Sequence, residues 1–316
     1  MTQQKIGVLV MSYGTPESMD QVEAYYTHIR RGHPPSPEQL KALKDRYEAI
    51  AGGFFPLRRN TDRQTAALQE TLDAGQPDEG VRYVCYQGLK HARPFIEDGV
   101  QAMAEDGIRE AVGVVLAPHY SAMSVGGYIR RAREKAEALG IKMAFVRSYH
   151  THPLLIEAWA ERVQTALASF APEDRDDVQV LFSAHSLPEK ILEMKDPYPD
   201  QLLATSRLVA EASGVSRWRF VWQSAGQTGD KWLGPDILEE IRSLHDEGVR
   251  QVLICPLGFV SDHLEVLYDI DIECKKLAES LGMRLARTEM LNDDPRYIRL
   301  LSDVVRQAAM KAGEAV

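Results

Sequence analysis

Thiols are scarce in this chain, with three cysteines in 316 residues. Cys85, Cys255 and Cys274 lie far apart, form no C-x-x-C pair and leave an odd count. That excludes a disulfide framework and offers no iron–sulfur spacing, so they read as buried, reduced thiols. Long apolar runs are also missing. No stretch reaches the roughly 18 apolar residues of a membrane span. The first apolar run, residues 6–11, is too short for a secretory leader. The expectation is a cytoplasmic protein with no membrane span. Positive charge is in deficit, 37 Lys and Arg against 46 Asp and Glu, a net charge of -9. Nucleic acid is therefore a poor partner. Common motifs are absent too: no G-x-G-x-x-G after a strand, no P-loop, no H-E-x-x-H. Trp222-Gln223-Ser224-Ala225-Gly226 lacks the first glycine of a nucleophile elbow. A dehydrogenase, an NTPase and an ordinary hydrolase are all disfavoured.

What remains is a chain that is 44% hydrophobic, enough to bury a sizeable core. Short apolar runs at residues 6–11, 82–86, 111–116, 143–146, 178–182, 220–222, 252–255 and 284–286 alternate with amphipathic stretches. Such runs suit strands covered on both faces, and the helices between them imply parallel sheets. The eight strands fall into two sets of four. Glu105-Asp106-Gly107 before the third strand is echoed by Asp246-Glu247-Gly248 before the seventh. The expected fold is α/β with two similar domains, 1–150 and 151–316, and a single eight-stranded sheet is the rival. The C-terminal helix, 295–311, suits either domain. A long insertion, about 17–75, predicts three helices at 21–31, 37–50 and 61–72, with Gly52-Gly53 breaking the second. An excursion of that length serves as a lid or binding wall.

Three constellations carry chemistry. Ser183-Ala184-His185-Ser186-Leu187-Pro188-Glu189 follows the fifth strand. Ser186 and Glu189 have capping-box spacing, which puts His185 beside a helix N-terminus, where a neutral imidazole is favoured. It could accept a proton or bind a metal; a turn histidine held by hydrogen bonds is the plainer reading. The stretch 262–273 follows the seventh strand, with Glu265, Asp269 and Glu273 recurring every four residues. On a helix they make one acidic ridge, whose repulsion a cation would relieve. A capping box at Asp262 and Glu265 on a solvated face is the alternative. Both stretches end at the same sheet edge, where one imidazole and one carboxylate suit Fe²⁺ without caging it. Third, Tyr13, Tyr25, Tyr26, Arg30, Arg31, Arg46, Tyr47 and Tyr128 mix cationic and aromatic groups, as a flat ligand bearing carboxylates requires; taken singly, each reads more plainly as a surface or core residue. A second arginine cluster lies at Arg130, Arg131 and Arg133.

These stretches resemble the class I ferrochelatases, and most closely the coproporphyrin ferrochelatases of Gram-positive bacteria. Matching segments run from VLVMSYGTP at 8–16 and YYTHIRRG at 25–32 through GLKH at 88–91 and SAHSLPEK at 183–190 to WLGPD at 232–236 and DHLEVLYD at 262–269. The resemblance implies two Rossmann-like domains with a porphyrin cleft between them, a monomer, and insertion of Fe²⁺ into a free-base porphyrin by ring distortion, pyrrole deprotonation and metal transfer. It implies that His185 and Glu265 are the metal-site pair and that Tyr13 can approach iron from the opposite face. Arg30, Arg46, Tyr47 and Tyr128 would line the cleft or meet propionates. Asp269 and Glu273 would form an acidic row, a metal route or a second site for a cation such as Mg²⁺. One departure stands out: Phe55 occupies the place of a family serine that contacts substrate. The expected partners are the porphyrin, Fe²⁺ as substrate and, transiently, neighbouring haem-pathway enzymes or an iron donor. No tightly bound cofactor and no iron–sulfur cluster are expected. A protoporphyrin ferrochelatase, a cobalt or sirohydrochlorin chelatase, and a porphyrin carrier are the alternatives.

Overall fold

All eight apolar runs become strands, in two separate parallel sheets of four, so the single-sheet rival is excluded. The computed structural model describes residues 4–50, 55–75, 80–226 and 229–314. Gly52, Gly53 and Phe54, the expected helix break and its neighbour, lie outside the described residues. The chain divides into two units, Met1–Tyr149 with Asn292–Val316, and His150–Leu291.

In the first unit, β1 (Gln4–Ser12) leads into α1 (Val22–Ile29), α2 (Pro37–Ala49) and α3 (Pro56–Ala74), the three helices of the insertion. Then come β2 (Val81–Leu89), α4 (Ile96–Glu105), β3 (Glu110–Val115), α5 (Val125–Ala138) and β4 (Lys142–Val146). The sheet order is β2-β1-β3-β4. β1 is central and buried from Ile6 onward, which is why its sequence is an unbroken apolar run. Leu9, Met11, Ile96, Val100 and Met103 are fully buried in one core, each stabilising the fold by about 1.5–3 kcal/mol. α2 opens on a full capping box between Ser36 and Gln39, with Pro37 in the first turn. α3 starts at Pro56, ahead of the expected 61, because that proline also fits a first helical turn. β2 is an edge strand. The Gln69 carboxamide of α3 covers it, accepting from Cys85 N–H at 2.8 Å and donating to the Tyr83 carbonyl at 3.1 Å, as a further strand would.

The second unit runs α6 (Pro153–Leu167), β5 (Gln179–His185), α7 (Lys190–Glu193), α8 (Tyr198–Ser213), β6 (Trp218–Gln223), α9 (Ile237–Asp246) and β7 (Gln251–Cys255). It continues with α10 (Leu264–Leu267), a π-turn at Asp269–Cys274, α11 (Lys275–Ser280) and β8 (Arg284–Arg287). Its sheet order, β6-β5-β7-β8, repeats that of the first unit. The echoed glycines are structural equivalents. Gly107 (φ 76°) closes α4 and Gly248 (φ 88°) closes α9, each in the left-handed region that glycine adopts freely. Ile108 N–H reaches the Met103 carbonyl and Val249 N–H the Leu244 carbonyl, both at 2.9 Å, so each turn is a Schellman cap feeding the third strand of its sheet.

The last helix, α12 (Pro295–Glu314), packs on α3, β3 and β4 of the first unit. Tyr297 meets Tyr149 hydroxyl to hydroxyl at 2.9 Å, and Arg306 donates to the Leu72 carbonyl at 2.9 Å.

Candidate functional site

β5 and β7 are neighbours in the second sheet, so the segments that leave their carboxyl ends are brought together. His185 is the last residue of β5 and Glu265 the second of α10. Nε2 of His185 lies 3.4 Å from Oε1 of Glu265, with both side chains 32% exposed and therefore reachable. Nδ1–H of His185 donates to the Ser186 carbonyl, which fixes the ring so that Nε2 faces the carboxylate. Tyr198 of α8 donates its hydroxyl to the His185 carbonyl at 3.2 Å. Gly258 N–H donates to the Ser183 carbonyl at 3.0 Å, and a Cβ on Gly258 would collide with that of Ala184. Only glycine lets the chain after β7 lie this close to the end of β5.

The expected capping boxes do not form. Ser186 instead donates to the Leu233 carbonyl at 2.8 Å, Glu189 pairs with Lys231 at 3.0 Å, and Leu233 N–H bonds to the Leu187 carbonyl. The loop after β5 is a strip laid along residues 231–233, and the short α7 begins only at Lys190. The expectation of a neutral His185 is corrected with it. Burial alone would depress the imidazole, but the Glu265 carboxylate outweighs burial and pushes it up to about 9. Burial alone would raise Glu265, while the facing His185 holds it well below the usual carboxylate range. The facing charges favour an imidazolium on His185 and a carboxylate on Glu265.

The acidic stretch is not a continuous α-helix. The π-turn inserts one residue, with Glu273 N–H bonding back to the Tyr268 carbonyl at 3.0 Å, so the straight ridge expected from the spacing is broken. Asp269 turns inward, 7% exposed, and accepts the Ser224 hydroxyl. Glu273 is exposed. Asp271 and Asp262 both pair with Arg287, at 2.7 Å and 3.4 Å. Among the described residues no three His, Cys, Asp or Glu side chains converge as a cage for a resident Mg²⁺ would require. A second imidazole reaches Glu265: Nε2 of His263 lies 3.5 Å from Oε2, and its Nδ1–H donates to the Ser261 carbonyl at 2.9 Å. His263 was missed in the sequence, where it reads as a mere neighbour of Glu265; only the extended backbone before α10 turns it onto the carboxylate.

The first unit holds a cavity of about 770 Å³ lined by Tyr13, His28, Arg31, Lys90, His91 and Arg131, among others. Tyr13 is 42% exposed and stacks obliquely on His91 at 4.6 Å. Arg31 sits at the left-handed position that ends α1, with φ 57°, where glycine is usual. Lys90 extends over the Tyr128 ring at 4.9 Å. Burial, then Arg131 and Arg130, lowers its ammonium. His28 and His91 meet Nδ1 to Nδ1 at 3.0 Å, so one donates and the other accepts. Burial and Lys90 push His91 down to about 3; burial and Arg131 lower His28. Arg131 grips Glu97 with two bonds of 2.7 Å and donates to the Lys90 carbonyl at 2.8 Å. Arg30 turns elsewhere, to the His33 carbonyl and the Tyr26 ring. Arg46 is half-buried on α2. Tyr47 and Phe55 are buried against each other at 4.7 Å, with the Tyr47 hydroxyl on Thr15. Lys90 and His91 stand just past the carboxyl end of β2, the placement that could have found them.

Comparison with known proteins fits this arrangement. The ferrochelatase family model matches residues 5–309. The coproporphyrin III ferrochelatase of Oceanobacillus iheyensis is 47% identical over 310 residues, 98% of each chain. That of Bacillus subtilis is 48% identical over 307 residues, 96% of this chain and 98% of the other. That of Anoxybacillus flavithermus is 48% identical across 100% of both. Among solved structures, SirB from Bacillus subtilis with Fe³⁺ aligns at a TM-score of 0.59 and 15% identity, over 98% of each chain. The sirohydrochlorin chelatase SirB from Bacillus subtilis subspecies spizizenii, in complex with cobalt, aligns at 0.58 and 13% over 98% of this chain and 96% of that one. At those identities the likeness is one of fold.

Proposed function

The chain belongs to the ferrochelatase family, an enzyme that inserts iron into a porphyrin, and from that premise we propose that its substrate is coproporphyrin III and that His185 and Glu265 meet the metal. One observation carries the reading: an imidazole and a carboxylate 3.4 Å apart, half-open, at the carboxyl ends of adjacent parallel strands. One nitrogen and one oxygen donor suit Fe²⁺ and leave most of its coordination open, as befits an ion that is handed on.

A free-base porphyrin carries two pyrrole N–H groups and binds metal only when they are lost and the ring bends. Remote carboxylate contacts can stabilise the bent form. The cationic cavity of the first unit, with Arg31, Lys90 and Arg131, has the chemistry for propionates. Coproporphyrin has one on every pyrrole and protoporphyrin on only half, so this lining favours the former. Glu265 keeps a proton on Nε2 of His185 at rest. A cation at the carboxylate would weaken that attraction, so that His185 would release its Nε2 proton to solvent and the lone pair left on Nε2 could bind metal or take a pyrrole proton. Glu265, touching His263 as well, offers the proton a second way out. Asp269 and Glu273 are assigned to the outward path of the ion, and no step passes through a second cation. The proposal extends to a cytoplasmic monomer without a resident cofactor; among the described residues no helix is long and apolar enough to cross a membrane.

The test is an anaerobic insertion assay with coproporphyrin III and protoporphyrin IX side by side, in the parent and in His185→Ala. We expect coproporphyrin III to be used with the higher kcat/KM. His185→Ala should lose insertion by about 100-fold or more while still binding porphyrin. Equal use of both porphyrins would discard the substrate assignment, and normal turnover by the variant would remove His185 from the chemistry.

A further inference from the structure

We infer that Gln223 is a positioning residue that sets the gap between His185 and Glu265. The inference rests on the reading of that pair as the metal site. Gln223 ends β6, directly opposite His185 in the β5–β6 register, and its side chain is completely buried. It touches both arms of the pair. On the histidine side, its main-chain carbonyl accepts from Ser186 N–H at 2.8 Å, and Ser186 in turn accepts the Nδ1–H of His185. Its Oε1 accepts the Ser183 hydroxyl at 2.8 Å, two residues before His185. On the carboxylate side, Nε2 donates to the main-chain carbonyl of Glu265 at 3.2 Å and faces Ser224 Oγ at 3.4 Å.

The carboxamide can point only one way. Flipped, its oxygen would face the Glu265 carbonyl and its nitrogen would lose an acceptor, leaving buried groups unsatisfied. Both protons and the oxygen are therefore committed, and the side chain acts as a strut of fixed length between the end of β5 and the segment carrying Glu265. Ser224 continues the strut to Asp269 through its hydroxyl. Gln223 never needs to touch metal or porphyrin, so it acts through the geometry of the residues that do. Misplacement of such groups by about 1 Å can cost 100-fold in rate.

The experiment compares parent, Gln223→Met, Gln223→Glu, Ser183→Ala and His185→Ala in insertion of Fe²⁺, Co²⁺ and Zn²⁺. Methionine keeps the length and loses every side-chain bond, leaving the main-chain bond from Ser186; glutamate keeps the acceptor for Ser183 and loses the donor to Glu265. Expected for Gln223→Met and Gln223→Glu is a 10- to 100-fold fall in kcat, a KM for metal raised at least fivefold, an unchanged KM for porphyrin and altered relative rates among the three metals. Ser183→Ala frees one end of the strut and should fall several-fold in the same pattern. A loss of folded enzyme alone would lower kcat and leave both KM values and the metal ratios untouched, and that outcome would overturn the assignment. So would parent-like kinetics in folded Gln223→Met, or in Ser183→Ala should the methionine variant not fold. His185→Ala separates the two claims: if it stays active, the reading of the pair fails, whereas an inactive His185→Ala beside a normal Gln223→Met sinks only the strut.

Discussion

Arg31 holds a backbone conformation that suits glycine, and it lines the cavity of the first unit. A non-glycine residue there costs of order 1 kcal/mol. The adjoining Gly32 N–H completes the helix end on the Thr27 carbonyl at 2.9 Å, so nothing local requires an arginine. Stability and function should part company at this position. Arg31→Gly is expected to raise stability by about 0.5–1 kcal/mol in urea unfolding and to raise the porphyrin KM. A variant that gains neither would mean that the conformation carries no strain and the guanidinium no ligand. His91 gives a second residue-level expectation. Its folded value is about 3, set by burial and then by Lys90, His28 and Arg131. An unfolded histidine has a value of about 6.5. The unfolded chain thus binds a proton that the folded chain refuses, so this contribution is full above about 6.5 and is lost as pH falls toward 3. Between pH 6 and 4, parent stability should drop relative to His91→Asn by up to about 1.4 kcal/mol per pH unit. Parallel curves for the two proteins would contradict the depressed value.

At the level of single elements, sequence reading and structure agree where one periodicity decides and part where two loops must meet. The strands were legible because both faces of β1, β3, β5 and β7 are covered, which leaves apolar runs no chemistry to hide. The insertion helices were legible, the second starting at the expected Pro37. The helix starts around His185 and Glu265 were not. Ser186 and Asp262 have the right spacing for local caps, but distant groups, the Leu233 carbonyl and Arg287, compete for them and win. The π-turn was invisible for a similar reason: Asp271 and Arg287 bond through two contacts of 2.7 and 2.8 Å that no spacing rule contains. The Arg130 to Arg133 cluster was seen as one patch, yet only Arg131 lines the cavity, while Arg133 lies over Phe145 at 5.3 Å. Gln69 illustrates the same limit. It reads as one polar residue on a helix but serves as the missing neighbour of β2. Gln69→Ala is expected to cost about 1–2 kcal/mol and to speed association of the purified protein, because the freed edge can pair with another chain. Unchanged light scattering on incubation would argue that the edge needs no cover.

On the scale of the whole molecule, the repeated sheet order and the paired glycine caps give both units one plan, yet they are assembled differently. The second is a single stretch of chain, His150–Leu291, whereas the first takes its last helix from beyond it. Tyr297 and Arg306 of α12 tie that helix to Tyr149 and Leu72. Phenylalanine at 297 removes one half of a buried hydroxyl pair. Tyr297→Phe should therefore speed hydrogen exchange in α3, β3 and α12 and leave β5 to β8 as protected as before. Uniform loss of protection across both sheets would mean that the two units do not open separately.

The return of α12 to the first unit also orders events during synthesis. On a ribosome the second unit has all its strands and helices before α12 has been made, while β3 and β4 must wait for that helix to cover them. The half that begins the chain is thus the later to mature, and until then its uncovered sheet face is the surface for a chaperone to guard.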